Sequence, residues 1–195
     1  MSELLEMLMT PDNDVCLQLY KKLIKDRILY FNSDINDSLI DMVAMPILIM
    51  NEEEKDIPTE KLNPITIWLN TSGGDIVPTL FTVNTIKNSR IPIHIKALGI
   101  VASAGLYLTV ACHHRIGSKS TIFLLHKGSL SLGGDTSSVE DTMEFFKGPV
   151  DEQFTNLIIE RTKITEDKLK KIRRNETYVL GEEALTEYGF IDELY

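Results

Sequence analysis

Ile65-Thr66-Ile67-Trp68-Leu69-Asn70 is the stretch that decides the fold, because its β-branched and aromatic residues predict a strand. Thr71-Ser72-Gly73-Gly74 ends this strand in a turn, and residues 76–88 have the apolar spacing of a helix. A second strand is predicted at residues 91–98. Strand, helix and strand in this order predict a βαβ unit with parallel pairing, so the expected fold class is α/β.

The same alternation continues on both sides of this unit. Gly148-Pro149 should kink or interrupt the longest predicted helix, because proline lacks a backbone N–H. Residues 51–64 are charged, contain two prolines and predict a surface loop. The remaining predicted elements are strands at 27–31, 121–126 and 178–180, and helices at 15–25, 36–50, 103–112, 136–161, 165–174 and 181–188.

Composition and charge limit the class of function. The 195 residues suit one domain that buries roughly 70% of its unfolded surface. The formal net charge of −9 argues against a nucleic-acid partner, because phosphate binding needs clustered Lys and Arg. The basic run at 168–174 follows acidic Glu166-Asp167 and is interpreted as a solvated helix face.

Cysteine usage and hydropathy indicate the compartment. Cys16 and Cys112 do not make a disulfide framework, and Cys112 is expected to be a buried free thiol. No stretch reaches 18 apolar residues, and the N-terminus lacks the pattern of a signal peptide. We therefore expect a reduced, cytoplasmic protein with no membrane contact. Cys112-His113-His114 has no second cluster at ligand spacing, so neither a metal nor a cofactor is expected.

Ser103 follows a predicted strand and opens the apolar segment at 103–112. Small residues on both sides leave room for a substrate to approach its hydroxyl. A helix start also supplies amide donors and a favourable dipole for a developing oxyanion. The alternative interpretation is a serine that only caps the helix.

His126 ends the apolar strand at 121–126, a position between buried and exposed that suits a general base. The alternative is a core histidine satisfied by one hydrogen bond. Gly73-Gly74 could turn its amides toward a ligand or form an ordinary turn. The combination favours catalysis, because a serine needs a nearby base and that base needs an orienting partner.

Several segments together resemble the Clp protease proteolytic subunit (ClpP) family. They occur in the family's order over roughly residues 20–192. The chain departs from the family pattern at Ser72, where the family has proline, and at Ala104, where it has methionine. The matching segments are 23–28 with 35–37, 70–74, 99–105, 124–126, Gly133-Gly134 and 182–192.

The resemblance implies a ClpP/crotonase-like spiral of βαβ units with a protruding handle helix, and it implies a role for each matching position. Ser103 becomes the nucleophile and His126 the base. Glu176 is the favoured third member of the triad, with Asn175 as the alternative. The implied oxyanion hole is formed by the amides of Gly74 and Ala104, and the implied substrate-binding residues are Gly73, Asp75, Gly133 and Gly134.

The resemblance also implies an assembly. A peptidase domain at 16–195, with its handle at about 133–161, would form heptameric rings stacked into a tetradecamer. Residues 1–15 form an atypical N-terminal arm that does not resemble the family's pore loop. The implied activity is ATP-independent hydrolysis of unfolded proteins or peptides inside the chamber, fed by an ATP-dependent unfoldase.

Two other functions remain open at this stage. A non-catalytic ring subunit or scaffold would explain the unusual third triad position and the altered N-terminus. A crotonase-type acyl-CoA enzyme would share the spiral fold and an amide oxyanion hole. Its chemistry does not need a Ser–His pair, however, and this chain is short for that class.

Overall fold

The computed structural model describes residues 15–126, residue 128 and residues 136–195. Most of the predicted arm at 1–15 and both Gly133 and Gly134 therefore lie outside the described residues. The strands are β1 (Ile28–Asn32), β2 (Ile65–Thr71), β3 (Ile93–Ala102), β4 (His114–Gly117), β5 (Ile122–Leu125), β6 (Thr177–Leu180) and β7 (Glu193–Leu194).

Helices alternate with these strands, as the α/β prediction requires. The helices are α1 (Val15–Lys25), α2 (Met45–Glu53), α3 (Ile76–Asn88), α4 (Ala104–Ala111), α5 (Thr136–Phe145), α6 (Asp151–Arg161), α7 (Glu166–Ile172) and α8 (Gly181–Glu183). Three π-helical segments, Ile40–Ala44, Phe146–Val150 and Ala184–Tyr188, adjoin helices, and Thr59–Lys61 is a 3₁₀ turn. No helix within the described ranges is long and apolar enough to cross a bilayer.

Within the described residues, the sheet is parallel except where β5 pairs with β6. β1, β2, β3, β4 and β7 follow one another across it, all paired in parallel. β3 is long enough to serve two neighbours: its first part pairs with β4, and its last residues, Ile100–Ala102, pair with β5. β6 then pairs antiparallel with β5. The sheet therefore branches along β3, and the β5–β6 pair lies beside the turn that carries Ser103.

Alternating burial places the core on one face of β2 and the first part of β3. The pairs Ile65↔Ile93 and Ile67↔Ile95 are buried, while the residues between them are partly exposed. Helix α4 is buried along almost its whole length, which fits its uniformly apolar sequence. The buried cluster extends from Leu29 to Ile191, so one core supports the whole described sheet.

The helix predicted to end at Met50 continues to Glu53, so the loop prediction for residues 51–53 is wrong. Asn51 explains the difference, because its amide nitrogen donates to Ile47 O and Ser89 Oγ, at 2.8 and 2.9 Å. Its amide oxygen accepts from Arg90 N at 2.8 Å. These contacts with the turn after α3 hold the last helical turn in place, and tertiary contacts of this kind override local propensity.

The long helix predicted at 136–161 passes through Gly148-Pro149 as the π-helical segment Phe146–Val150, with α5 before it and α6 after it. Proline cannot donate the i→i−4 bond of an α-helix, and the α-helical pattern gives way to a π-helical one at its position. The predicted interruption is therefore a change of helix type.

Candidate active site

Ser103 lies at the end of β3, beside β5. The parallel register pairs Ala102 with Leu124, and Ser103 N donates a hydrogen bond to Leu124 O at 2.9 Å. His126 comes two residues after Leu124, just beyond the end of β5. Because adjacent parallel strands end at the same edge of a sheet, Ser103 and His126 lie at one edge. Both residues are partly exposed.

The backbone at Ser103 is unusual for a non-glycine residue. Its φ is 54° and its ψ is −118°, a conformation that costs free energy and persists only where surrounding contacts enforce it. Ser103 immediately precedes α4, yet its side chain makes no capping hydrogen bond. The interpretation of Ser103 as a helix-capping serine therefore lacks the bond that defines such a cap.

The turn after β2 packs directly against Ser103. A Cβ at Gly73 would lie 2.7 Å from Ser103 Cβ, and one at Gly74 would lie 2.2 Å from Ile35 O. The values of φ at Gly73 and Gly74 are 103° and 145°, which L side chains rarely adopt. Ile35 holds the turn, since its N–H donates to Gly73 O at 2.8 Å and its carbonyl accepts from Asp75 N at 2.9 Å.

Two backbone amides beside Ser103 have no acceptor within the described part of the chain, those of Gly74 and Ala104. Gly73 N donates to Thr71 Oγ1 at 3.1 Å, but the next amide along, Gly74 N, makes no such bond. Ala104 is the first residue of α4, so its N–H has no partner within the helix. The position of a Cβ at Gly73 lies 3.2 Å from Ala104 N, so the turn and the helix start are adjacent.

The β5–β6 pair relates His126 to the predicted third member. Its register ends with Leu125 opposite Thr177, and His126 and Glu176 are the next residues beyond that last pair. Continued by one step, the same register would bring the two residues opposite each other, where the Cβ atoms of an antiparallel pair are about 4.5–5.5 Å apart. Asn175 falls one position outside that alignment, and its N–H donates to Ile172 O at 3.2 Å.

Glu176 and Asn175 are both exposed. The carboxylate of Glu176 accepts a hydrogen bond from the Tyr178 hydroxyl at 3.2 Å, which raises the pKa of Tyr178. Among the described residues, no hydrogen bond joins Ser103 to His126, or His126 to Glu176 or Asn175. The three predicted triad positions therefore share one edge without being linked to one another in this state.

Asn70 had no predicted role, and the structure shows that it makes a positioning contact. Its side-chain oxygen accepts from Ile100 N at 2.8 Å, and a Cβ at Gly99 would lie 2.6 Å from that oxygen. Its amide nitrogen donates to Asn32 Oδ1 at 2.6 Å. Asn70 thus ties the ends of β1 and β2 to the segment that leads to Ser103. A polar residue ending an otherwise apolar strand was the available signal.

The predicted substrate-binding residue Asp75 directly follows the Gly73-Gly74 turn. Asp75 is the residue before α3, and its side chain makes no capping hydrogen bond there. Ser72, which directly precedes Gly73, donates a hydrogen bond to Asp34, so two polar side chains lie beside the glycine turn. Gly133 and Gly134 fall in the part of the chain for which no structure is described.

The residues of Cys112-His113-His114 have separate partners. Cys112 is fully buried and donates from its sulfur to Leu108 O at 3.3 Å, which confirms the predicted buried free thiol. Burial raises the pKa of that thiol. His113 Nδ1 accepts from Ile93 N at 3.0 Å, and His114 Nε2 lies 3.4 Å from Glu193 Oε2. Each side chain therefore has a structural contact of its own.

Comparison with known proteins gives one consistent result. The Clp protease family model matches residues 11–195. The chain is 24% identical over 177 residues to the ATP-dependent Clp protease proteolytic subunit 1 of Corynebacterium jeikeium, covering 90% of each chain. It is 22% identical over 179 residues to the ATP-dependent Clp protease proteolytic subunit of Deinococcus radiodurans, covering 90% of this chain and 83% of the relative.

Proposed function

Since this chain belongs to the Clp protease family, we propose that it is a serine endopeptidase with Ser103 as nucleophile and His126 as general base. One observation carries the proposal: Ser103 has a strained backbone packed against Gly73, next to two amides that have no acceptor within the described part of the chain. This backbone conformation costs free energy, and a serine without a function would offer nothing to offset that cost. An oxyanion requires N–H donors beside the nucleophile.

The reaction follows from these positions. His126 takes the hydroxyl proton as Ser103 Oγ attacks the peptide carbonyl carbon, and the oxyanion accepts N–H bonds from Gly74 and Ala104. The C–N bond then breaks, and the leaving amine takes the proton from His126. Water attacks the acyl-enzyme, with His126 again accepting a proton. The carboxylic product leaves as that proton returns to Ser103. No cofactor enters any step.

Glu176 is our proposed third member of the triad, because continuing the β5–β6 register by one step beyond Leu125↔Thr177 would bring it opposite His126. A carboxylate in that place orients the imidazole and stabilises the imidazolium that forms during each step. Asn175 is the alternative and would orient the ring without the charge. The triad would become linked when substrate or a neighbouring subunit orders the site, since catalytic hydrogen bonds often tighten only on binding.

The assembly and partners proposed here follow the family. Heptameric rings stacked into a tetradecamer would enclose the active sites, with the handle containing α5 and α6 between the rings. Gly73 and Asp75, with Gly133-Gly134, would bind an extended substrate by edge pairing, which tolerates many sequences. The substrates would be unfolded proteins or peptides in the cytoplasm, delivered by a Clp-type ATPase, although hydrolysis itself uses no ATP.

One observation favours a second function, a catalytically weak or inactive ring subunit. Among the residues described, Ser103, His126 and Glu176 are not joined by hydrogen bonds, and Glu176 is instead bonded to Tyr178. A subunit of this kind would contribute to the rings without cleaving peptides.

Hydrolysis by the assembled protein tests the proposal. Wild type at its assembled size should cleave an unfolded protein and a fluorogenic peptide without ATP, and Ser103→Ala should cleave neither while assembling identically. Cleavage by Ser103→Ala at the wild-type rate would overturn the assignment of the nucleophile. An assembled wild type that cleaves nothing would favour the inactive ring subunit.

A further inference from the structure

Arg173 lies at the end of α7, and its side chain contacts two other helices, α4 and α6. Its Nη1 donates to the Asp151 carboxylate at 2.9 and 3.1 Å and to Thr155 Oγ1 at 2.9 Å. Its Nη2 donates to the Tyr107 hydroxyl oxygen at 3.3 Å. Asp151 and Thr155 belong to α6, and Tyr107 belongs to α4. One guanidinium therefore holds α4, α6 and α7 together.

These partners lie close in sequence to the residues proposed for catalysis. Tyr107 comes four residues after Ser103, one turn along the helix that Ser103 precedes. Arg173 comes three residues before Glu176, in the short segment that leads into β6. The Arg173–Tyr107 contact is thus a direct side-chain link between the nucleophile helix and the segment carrying the proposed third member.

The Arg173 and Tyr107 side chains of this network are partly buried. The Arg173 side chain is 15% exposed, and the Tyr107 ring stacks on Phe154 with the ring centroids 4.2 Å apart. Burial is the main cause that raises the pKa of Tyr107, so its hydroxyl stays neutral and can accept from Arg173. Asp151, whose side chain is 52% exposed, supplies the opposite charge for this largely buried guanidinium. A planar group with several fixed donors holds such partners in a way that a lysine cannot.

We propose that Arg173 is a positioning residue for catalysis, which holds the Glu176 segment at a set distance from the nucleophile helix through Tyr107 and Asp151. This inference rests on the proposed peptidase function and adds to it a residue that acts without touching the substrate. Misplacement of a catalytic group by about 1 Å can cost on the order of a hundredfold in rate. Loss of Arg173 should therefore reduce the rate of the chemical step more than it weakens substrate binding.

The test compares variants of the assembled protein in peptide hydrolysis. Arg173→Ala should lower kcat by roughly ten- to hundredfold with little change in KM. Guanidinium chloride at millimolar concentration should restore part of the kcat that Arg173→Ala loses. Arg173→Lys should have a lower kcat than wild type. Arg174→Ala is the matched control, because Arg174 is exposed and its side chain makes no hydrogen bond or ion pair among the described residues.

Tyr107→Phe keeps the ring stacked on Phe154 and removes only the hydroxyl, so it tests the link even if Arg173→Ala fails to fold. It should lower kcat severalfold at unchanged KM and unchanged assembly. A kcat equal to wild type in Tyr107→Phe, or in a folded Arg173→Ala, would overturn the positioning role alone. A wild type that neither hydrolyses peptides nor reacts with a fluorophosphonate would overturn the peptidase proposal and the positioning role with it.

Discussion

Gly73 and Ser103 are packed so closely that a methyl group at Gly73 would lie 2.7 Å from the Ser103 Cβ and 2.9 Å from the Ala102 carbonyl oxygen. The turn after β2 and the turn after β3 therefore form one unit. Each has a residue with positive φ, and the two backbones are in close contact. This contact relates the glycine pair to the serine more directly than their separation of thirty residues in sequence suggests.

Gly73→Ala should damage both stability and the active site. The added methyl would meet Ser103, and the φ of 103° costs a non-glycine residue about 1–3 kcal/mol even without that contact. Thermal unfolding should show a lower Tm, and fluorophosphonate labelling should slow. Gly148→Ala is the matched control, because a Cβ there meets nothing within 4 Å. Equal Tm values and labelling rates in the two variants would contradict the packing described.

The central part of the fold could be predicted from sequence because each segment carries its own signal. The apolar run at 65–70 and the helix at 76–88 have clear periodicity, and both occur where predicted, with β2 ending one residue later. Ser103 and His126 were paired through their chemistry and the family resemblance, and their common position agrees with a general property of parallel sheets, whose strands end at one edge. These inferences needed no knowledge of distant contacts.

Other features depend on partners far along the chain. β7 has two residues, and its place is set by pairing with Ile116 and Gly117 of β4, neither strand having been predicted. The hydrogen bond between Arg173 and Tyr107 joins residues that are 66 positions apart, and no pattern in the sequence predicts it. The choice between Glu176 and Asn175 depends on strand register, which local sequence does not fix.

Glu176→Gln should separate the two candidates for the third triad member. Removing the charge opposite His126 should lower kcat by about tenfold or more, while Asn175→Ala should remain near wild type. Steady-state peptide hydrolysis by both variants gives the comparison. The opposite ranking would assign the role to Asn175, and two active variants would show that neither side chain orients His126.

Asp192→Asn should destabilise the fold, because Arg115 would lose its counter-charge. The Arg115 side chain is 9% exposed and donates to both Asp192 oxygens, at 3.0 and 2.5 Å. Removing one partner of a buried pair costs about 3–5 kcal/mol, and the lower end applies because Asp192 is 32% exposed. Denaturant unfolding should show this loss, and Asp56→Asn, at an exposed residue, should show none. A wild-type unfolding midpoint in Asp192→Asn would contradict the account.

The same pair should contribute to acid sensitivity. Burial alone would raise the pKa of Asp192, but hydrogen bonds and charge from Arg115 lower it below the ordinary 3.8. The folded state then binds fewer protons than the unfolded state, so this stabilisation is present above pH 3.8 and is lost as the pH falls through the lowered pKa. In Asp192→Asn that part of the acid dependence should disappear.

His94 should make the fold less stable in mild acid. Partial burial, with His114 and His113 nearby, lowers the pKa of His94 below the ordinary 6.5. The unfolded state therefore binds more protons between the lowered pKa and 6.5, so stability falls as the pH drops through that window. The difference in Tm between about pH 8 and about pH 5.5 should be smaller in His94→Gln. An unchanged difference would show that His94 has no part in it.

The most direct test of the central claim is labelling of the assembled protein with a fluorophosphonate, followed by mass spectrometry to locate the modified residue. The account predicts a single adduct on Ser103 in wild type and no adduct in Ser103→Ala, whose assembly should be unchanged. Labelling of Ser103→Ala at the wild-type rate, or no labelling of a properly assembled wild type, would contradict the claim that Ser103 is an activated nucleophile.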